Sequence, residues 1–139
     1  MKLSMKVFGL DAIRSKLKGT GEDRMARIRK AGRKAAYLVD TEVKKMITES
    51  IPAGRMYGTH RASAPGQPPA VDTGALIGSI HVEFPDEDTS LIVANTPYAA
   101  ALEFGRDDGS IQERPFMRPG FANAKPAIDV LMKEASGGR

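Results

Sequence analysis

One long amphipathic segment constrains the fold of this chain more than any other feature. From Glu22 to about Ser50, apolar residues recur at spacings of three and four, the period of a helix with one buried face. Glu22 and Asp23 suit the amino-terminal end of a helix, and Pro52 follows its far end. At 1.5 Å per residue such a helix is about 40 Å long. A chain of 139 residues does not comfortably cover that length, so we expect part of the helix to pack on a neighbouring subunit.

The residues on either side of this helix predict a strand, a short helix and a long loop. Residues 2–10 mix polar and apolar side chains and favour a short strand, and Asp11 is placed to cap a short helix after it. Residues 52–71 are rich in proline and glycine and predict a loop. A structureless loop of this length is uncommon unless it is functional or orders on a partner. We therefore expect a partner-contact loop that uses Arg55, Tyr57, His60 and Arg61.

The second half of the chain predicts a small antiparallel sheet with two helices. Apolar and polar residues alternate from Leu76 to Phe84, as in a strand with one buried face. An acidic turn over residues 85–90 then leads back to a second strand at residues 91–94. Residues 98–104 predict a short helix that Gly105 stops, and a last helix either begins at Pro126 or is kinked there.

The predicted fold class is α+β, with a long N-terminal amphipathic helix packed on a small antiparallel sheet beside a short helix and a C-terminal helix. Hydrophobic residues make up 41% of the chain, which is ordinary for a globular protein. A chain of this length buries enough surface to form one hydrophobic core but not two. We therefore expect a single domain over residues 1–139, with the helix at 22–50, the loop at 52–71 and the sheet and helices at 76–135.

Composition excludes several classes of function. The chain has no cysteine and two histidines, His60 and His81, which leaves no thiolate site and too few ligands for a histidine metal cluster. No nucleotide-binding glycine motif occurs, and no apolar run reaches the ~20 residues of a membrane span. The N-terminus lacks the apolar stretch of a secretory signal. We expect a cytosolic protein without a cofactor, a metal or a catalytic activity.

The most tempting catalytic motif is Val71-Asp72-Thr73-Gly74-Ala75, which has the form of an aspartic-protease signature. That chemistry needs two carboxylates that share a proton, each following a strand. Here Asp72 follows a proline-rich loop instead of a strand. We interpret the motif as a turn in which Asp72 bonds nearby backbone N–H groups and Gly74 adopts a positive φ.

The net charge of +4 is the sum of a basic first segment and an acidic second segment of the chain. Residues 1–61 carry 15 basic and 6 acidic side chains, a net charge of +9, whereas residues 62–139 have a net charge of −5. Such a split indicates either an anionic partner or copies that stack basic face to acidic face. The basic run from Arg24 to Lys34 lies on the long helix. Two interpretations of this run remain open: a face that binds phosphate groups and a face that is only solvated.

Three segments in a fixed order suggest a family: VDTGALIGSI, YAAALEFG and RPFMRPG, at residues 71–80, 98–105 and 114–120. Gly-Leu-Asp at residues 9–11 and a long basic helix ending before a proline precede them. The set resembles the head–tail joining proteins of tailed bacteriophages, also called neck or tail-completion proteins, of the gene-product-ten-like kind. The chain departs from the family pattern in its residues 53–71, in Arg106 after EFG and in Gly120 after RPFMRP, which affects loop contacts more than the fold.

The resemblance implies a small α+β subunit that forms a ring of about six copies at the head–tail junction of a virion made in the bacterial cytoplasm. Its partners would be head-completion or connector proteins and tail proteins, and DNA would pass through the ring without sequence-specific binding. No activity, cofactor or membrane is implied. Phe104 and Phe116 are expected to be core or subunit-contact anchors, and the guanidinium groups near them to take carboxylates of the same or a neighbouring subunit. The residues predicted for subunit or ring contact are Arg24, Arg27, Lys34, Phe104, Arg114, Phe116 and Arg118.

Overall fold

The computed structural model describes residues 2–10 and 21–137. Its architecture is α+β, as predicted: a long helix packs on a small antiparallel sheet, and a C-terminal helix packs along the long helix. The short helix expected from Asp11 lies outside the described residues. The strands are β1 (Leu3–Gly9), β2 (Met56–Tyr57), β3 (His60–Arg61), β4 (Ile80–Asp86) and β5 (Thr89–Ala94), and the helices are α1 (Glu22–Thr48), α2 (Ala75–Ser79), α3 (Ala99–Phe104) and α4 (Met117–Ala135).

Helix α1 forms where its apolar period predicts it and ends at Thr48. The next residue, Glu49, is its C-cap and donates its N–H to the carbonyl of Lys45 at 2.9 Å. Its apolar stripe is buried from Ile28 to Ile47 by the sheet and by α4. Within one chain this stripe is covered by α4, which runs beside α1, so its burial does not depend on a neighbouring subunit. The packing of part of the helix on a neighbouring subunit stays a prediction. The core joins the stripe to β5 and to the start of α4, through Val39, Val43, Ile47, Ile92, Ala94 and Phe116.

Strand β5 is the centre of a three-stranded antiparallel sheet in the order β1–β5–β4. Ile80 pairs with Ala94, and Leu3 pairs with the same residue from the other side. The register shifts beyond Glu83, next to Pro85, which has no N–H to donate and is tolerated because β4 is an edge strand. The turn between β4 and β5 is two residues long, shorter than the six predicted, since both strands extend into the acidic segment.

Residues 75–79, predicted to begin a strand at Leu76, form helix α2 instead. Gly74 has a φ of 83° and Thr73 Oγ1 accepts the N–H of Ala75 at 3.3 Å, so the turn chemistry before the segment starts a helix. Leu76 is buried in either structure, which is why alternation alone misled the prediction. The helix predicted at residues 98–104 is confirmed as α3, and Gly105 follows it with a φ of 73°.

The segment predicted as a long loop carries the small β2–β3 hairpin and is fixed to the rest of the chain. Gly54 N–H donates to the carbonyl of Ala62 at 2.7 Å, and Gly66 N–H to the carbonyl of Glu113 at 2.8 Å. Ser63 is fully buried, and Pro69 is buried as well. Hydrogen bonds within the segment and to the distant Glu113 therefore give this glycine-rich and proline-rich segment a defined structure.

Helix α4 begins nine residues before Pro126, which lies inside the helix instead of in its first turn. The helix approaches α1 closely at Gly120, where an added Cβ would lie 2.9 Å from the Cα of Val43. Only a residue without a side chain permits this separation of the two backbones.

Candidate functional site

The EFG and RPFMRP segments are connected by Glu103, whose side chain is 1% exposed. Its Oε2 accepts the backbone N–H groups of Phe116 at 2.8 Å and Met117 at 2.9 Å. Its Oε1 accepts the backbone N–H of Arg118 at 3.0 Å and the Nε–H of the same residue at 2.9 Å. The carboxylate therefore satisfies the first N–H groups of α4, which a helix cannot satisfy by itself.

Arg118 completes this cluster from the outside. Its Nη2 donates to the carbonyl of Glu103 at 2.7 Å and to Glu113 Oε2 at 3.3 Å, and its guanidinium stacks over the ring of Phe104, 5.2 Å from the centroid. The hydrogen bond to Glu103 is the main cause that raises the pKa of Arg118. The expectation that Arg118 takes a carboxylate is met within the chain, while Phe104 stays exposed and Phe116 lies fully in the core.

Next to this cluster a groove of about 610 Å³ opens between the β2–β3 segment, α2, α3 and the end of α1. Its walls are mainly apolar, with Ile47, Leu76 and Leu102 among the lining residues. Three large side chains at the groove, Tyr57, Val71 and Tyr98, are exposed. A groove of this volume is in the range that buries a small ligand or the tip of a peptide turn.

Arg114 is the one side chain of the RPFMRP segment that lines the groove, and it is only 9% exposed. Its Nε–H donates to the carbonyl of Ser63 at 3.1 Å, and its Nη1 donates to the carbonyl of Gln112 at 3.3 Å. Among residues 2–10 and 21–137, no carboxylate forms an ion pair with it, and its Nη2 makes no hydrogen bond. The groove thus contains a nearly buried cation whose charge is met by carbonyl dipoles alone.

The DTG motif lies at the rim of the groove and forms a turn. The Asp72 side chain is 61% exposed, and its Oδ1 lies 3.7 Å from His60 Nδ1. The hydroxyl of Thr73, and not the Asp72 carboxylate that we expected, accepts the backbone N–H at the start of α2. Gly74 has the predicted positive φ. A second carboxylate is not paired with Asp72 within the described residues, so the arrangement offers no shared proton.

The predicted partner-contact residues of the loop lie on the hairpin beside the groove. Tyr57 and His60 pair across β2 and β3 and both line the groove. The guanidinium of Arg55 lies 5.6 Å from the centroid of the Tyr57 ring, and Arg61 is exposed. The sequence predicted these residues as a contact region but not the groove, because segments far apart in the chain form its walls.

The basic run of α1 contains cations that contact another part of the chain and cations that form no ion pair within the described residues. Arg29 Nε donates to Asp88 Oδ1 at 2.6 Å, Arg33 lies 4.7 Å from the ring centroid of Phe84, and Arg24 donates to the carbonyl of Ser136. Three other exposed cations follow one face of the helix at spacings of three and four, and none of them has an ion-pair partner within the described part of the chain. They are Arg27, Lys30 and Lys34.

The acidic turn lies at the opposite end of the molecule from the groove. Ile47 lines the groove, whereas Arg29, which contacts Asp88, lies 18 residues earlier on α1, about 27 Å away at 1.5 Å per residue. Strand β4 likewise runs from α2 at the groove to Asp86 at the turn. Glu87 is the exposed carboxylate at the tip.

Among the described residues, no group of three or more histidine, cysteine, aspartate or glutamate side chains is placed to hold a metal ion. None of the described helices is both long enough and apolar enough to span a bilayer. No family model matches the chain, and neither a curated protein nor a solved structure matches it.

Proposed function

We propose that this chain is a structural assembly protein that forms a ring at the head–tail junction of a tailed phage or prophage. The observation that carries the proposal is the apolar groove with Tyr57, Val71 and Tyr98 exposed around it. An apolar groove with exposed large side chains at its rim is a kind of surface that serves protein–protein contacts or ligand binding. The resemblance to head–tail joining proteins supplies the identity of the assembly.

The geometry of the family-like motifs supports a structural role over a catalytic one. The buried Glu103 is committed to the first turn of α4, and Asp72 is exposed beside one histidine. Glu103 therefore acts in local structure, and Asp72 has no second carboxylate paired with it within the described residues. We propose no enzymatic activity, cofactor or membrane association, and a location in the virion neck.

Light scattering over a concentration series tests the proposal. A ring-forming subunit has a scattering mass several times the 15.0 kDa of one chain, alone or with tail components added. A mass of one chain at every concentration, with tail components present, would overturn it. A test variant is Val71→Asp, which places a charge at the groove. It should reduce the scattering mass of the assembly and leave the circular dichroism spectrum of the folded chain unchanged.

A nucleic-acid-binding protein is the second candidate, and the row of Arg27, Lys30 and Lys34 favours it. Binding through such a face would weaken steeply as salt rises, because each phosphate contact releases a counterion. Titration of duplex DNA from low to physiological salt measures this slope, and absence of binding at low salt excludes the candidate. In a ring that passes DNA we expect these cations to face acidic surfaces of neighbours, since a strongly positive lumen would hold the DNA.

A further inference from the structure

We propose that the groove is a carboxylate-binding site for a second copy of this chain, which inserts its β4–β5 turn so that Glu87 meets Arg114. The inference rests on the proposed function, because it names the partner that covers the apolar groove. It begins from the nearly buried guanidinium described above, whose Nη2 is not hydrogen-bonded within the described residues.

A nearly buried arginine is stabilised most by a carboxylate, which accepts two parallel N–H bonds from the guanidinium fork. Carbonyl oxygens already fix the Nε and Nη1 side of Arg114, so the fork is held in place with Nη2 still available. An apolar wall strengthens the attraction, because the low local dielectric screens it less than water does. The site thus selects a segment that carries a carboxylate next to apolar or proline residues.

The β4–β5 turn has that chemistry. Pro85 precedes the tip, and Glu87 is exposed with no hydrogen bond to another described residue. Asp86 accepts the N–H of Asp88 at 2.8 Å, which fixes the turn before it docks. A short, preordered turn loses little conformational entropy when it binds.

Turn and groove lie at opposite ends of one chain, which makes the contact head-to-tail. Such heterologous contacts close into a ring when the rotation between copies permits, whereas a two-fold contact stops at a dimer. The only carboxylate at the groove rim that would oppose the incoming charge is Asp72, within the described residues, and His60 stands 3.7 Å from it.

Two surface variants test the inference without disturbing the bonds of Arg114. Glu87→Lys removes the docking carboxylate and leaves the groove intact, while Val71→Asp blocks the groove and leaves the turn intact. Each should weaken self-association at least about tenfold in sedimentation velocity, the effect of one well-placed charged contact. Glu134→Lys, the same charge change at another exposed carboxylate, should associate like the wild type.

Mixing the two variants gives the decisive result. The turn of the Val71→Asp chain should enter the groove of the Glu87→Lys chain, forming a one-to-one dimer that cannot grow. For an NMR readout, only the Glu87→Lys chain carries ¹⁵N, so that the Nε–H resonance of Arg114 in its groove is observed. Addition of unlabelled Val71→Asp chain should shift this resonance, whereas addition of unlabelled Glu87→Lys chain should leave it unchanged.

The outcomes separate this inference from the proposed function. If the wild type assembles and Glu87→Lys assembles equally well, or the mixture forms no dimer, the turn-in-groove contact is refuted while the ring proposal stands. If the wild type is monomeric at every concentration and with tail components, both are refuted.

Discussion

Replacing Glu103 is the sharpest test of how the EFG and RPFMRP segments are held together. Glu103→Gln keeps the shape of the side chain but turns one acceptor oxygen into an NH₂ donor. One pair of donors then faces a donor: either the N–H groups of Phe116 and Met117 or the two N–H groups of Arg118. Glu103→Ala removes all four bonds and leaves a cavity.

The expected cost follows from burial. Hydrogen bonds to a charged group contribute about 1.5–3 kcal/mol each, and they do not add fully. Since Arg118 is half-exposed, its ion pair is screened and counts for little, so the backbone bonds carry the effect. We expect Glu103→Gln to lower the free energy of unfolding by about 2 kcal/mol and Glu103→Ala by about 3–5 kcal/mol.

Urea denaturation followed by circular dichroism measures these differences. The matched control is Glu113→Gln, which touches the same Arg118 at 3.3 Å but is 57% exposed, and it should cost less than about 0.5 kcal/mol. If Glu103→Gln and Glu113→Gln shift the midpoint equally, the capping role of the buried carboxylate is refuted.

Two further predictions concern packing and pH. Gly120→Ala should lower the free energy of unfolding by about 1–3 kcal/mol, because the new Cβ meets the backbone of Val43. The control is Gly78→Ala, which should be neutral or stabilising because its Cβ would have no neighbour within 4 Å. Equal melting temperatures of the two variants would contradict this prediction. The pKa of His81 is raised above 6.5, chiefly by its hydrogen bond to the carbonyl of Ser79 and secondly by its hydrogen bond to Glu83. The protonated His81 therefore contributes fully to stability below pH 6.5, and this contribution is lost as the pH rises through the pKa of the folded protein. NMR titration should show that Glu83→Gln brings this pKa down, and an unchanged value would exclude the carboxylate as a cause.

Local patterns were enough to predict the elements with a strong period or a definite stop signal. The 3.6-residue period predicted α1, and a glycine at position 105 marked the end of α3. Alternation failed at Leu76, since a buried residue next to Gly74 is compatible with either a strand or a helical turn. The extra length of α4 before Pro126 was missed because its first turn depends on Glu103, which lies 14 residues away from Met117.

The candidate site depends still more on distant contacts. Arg114 and Arg118 were predicted to have the same role, but the fold gives one a carboxylate and gives the other only carbonyls. No spacing along the chain distinguishes them. The stacking of basic face on acidic face that the charge polarity suggested stays a prediction. The nearly buried Arg114 and the acidic turn, which the fold places at opposite ends, both belong to the acidic segment at residues 62–139.

Imaging of virions by cryo-electron microscopy tests the central claim most directly. We expect density for a ring between capsid and tail into which copies of this chain fit, each contacting the next through different faces, with Arg27 and Lys34 turned away from the channel. Virions whose neck contains no density that fits this fold, while the chain is recovered only as free monomer, would contradict the account.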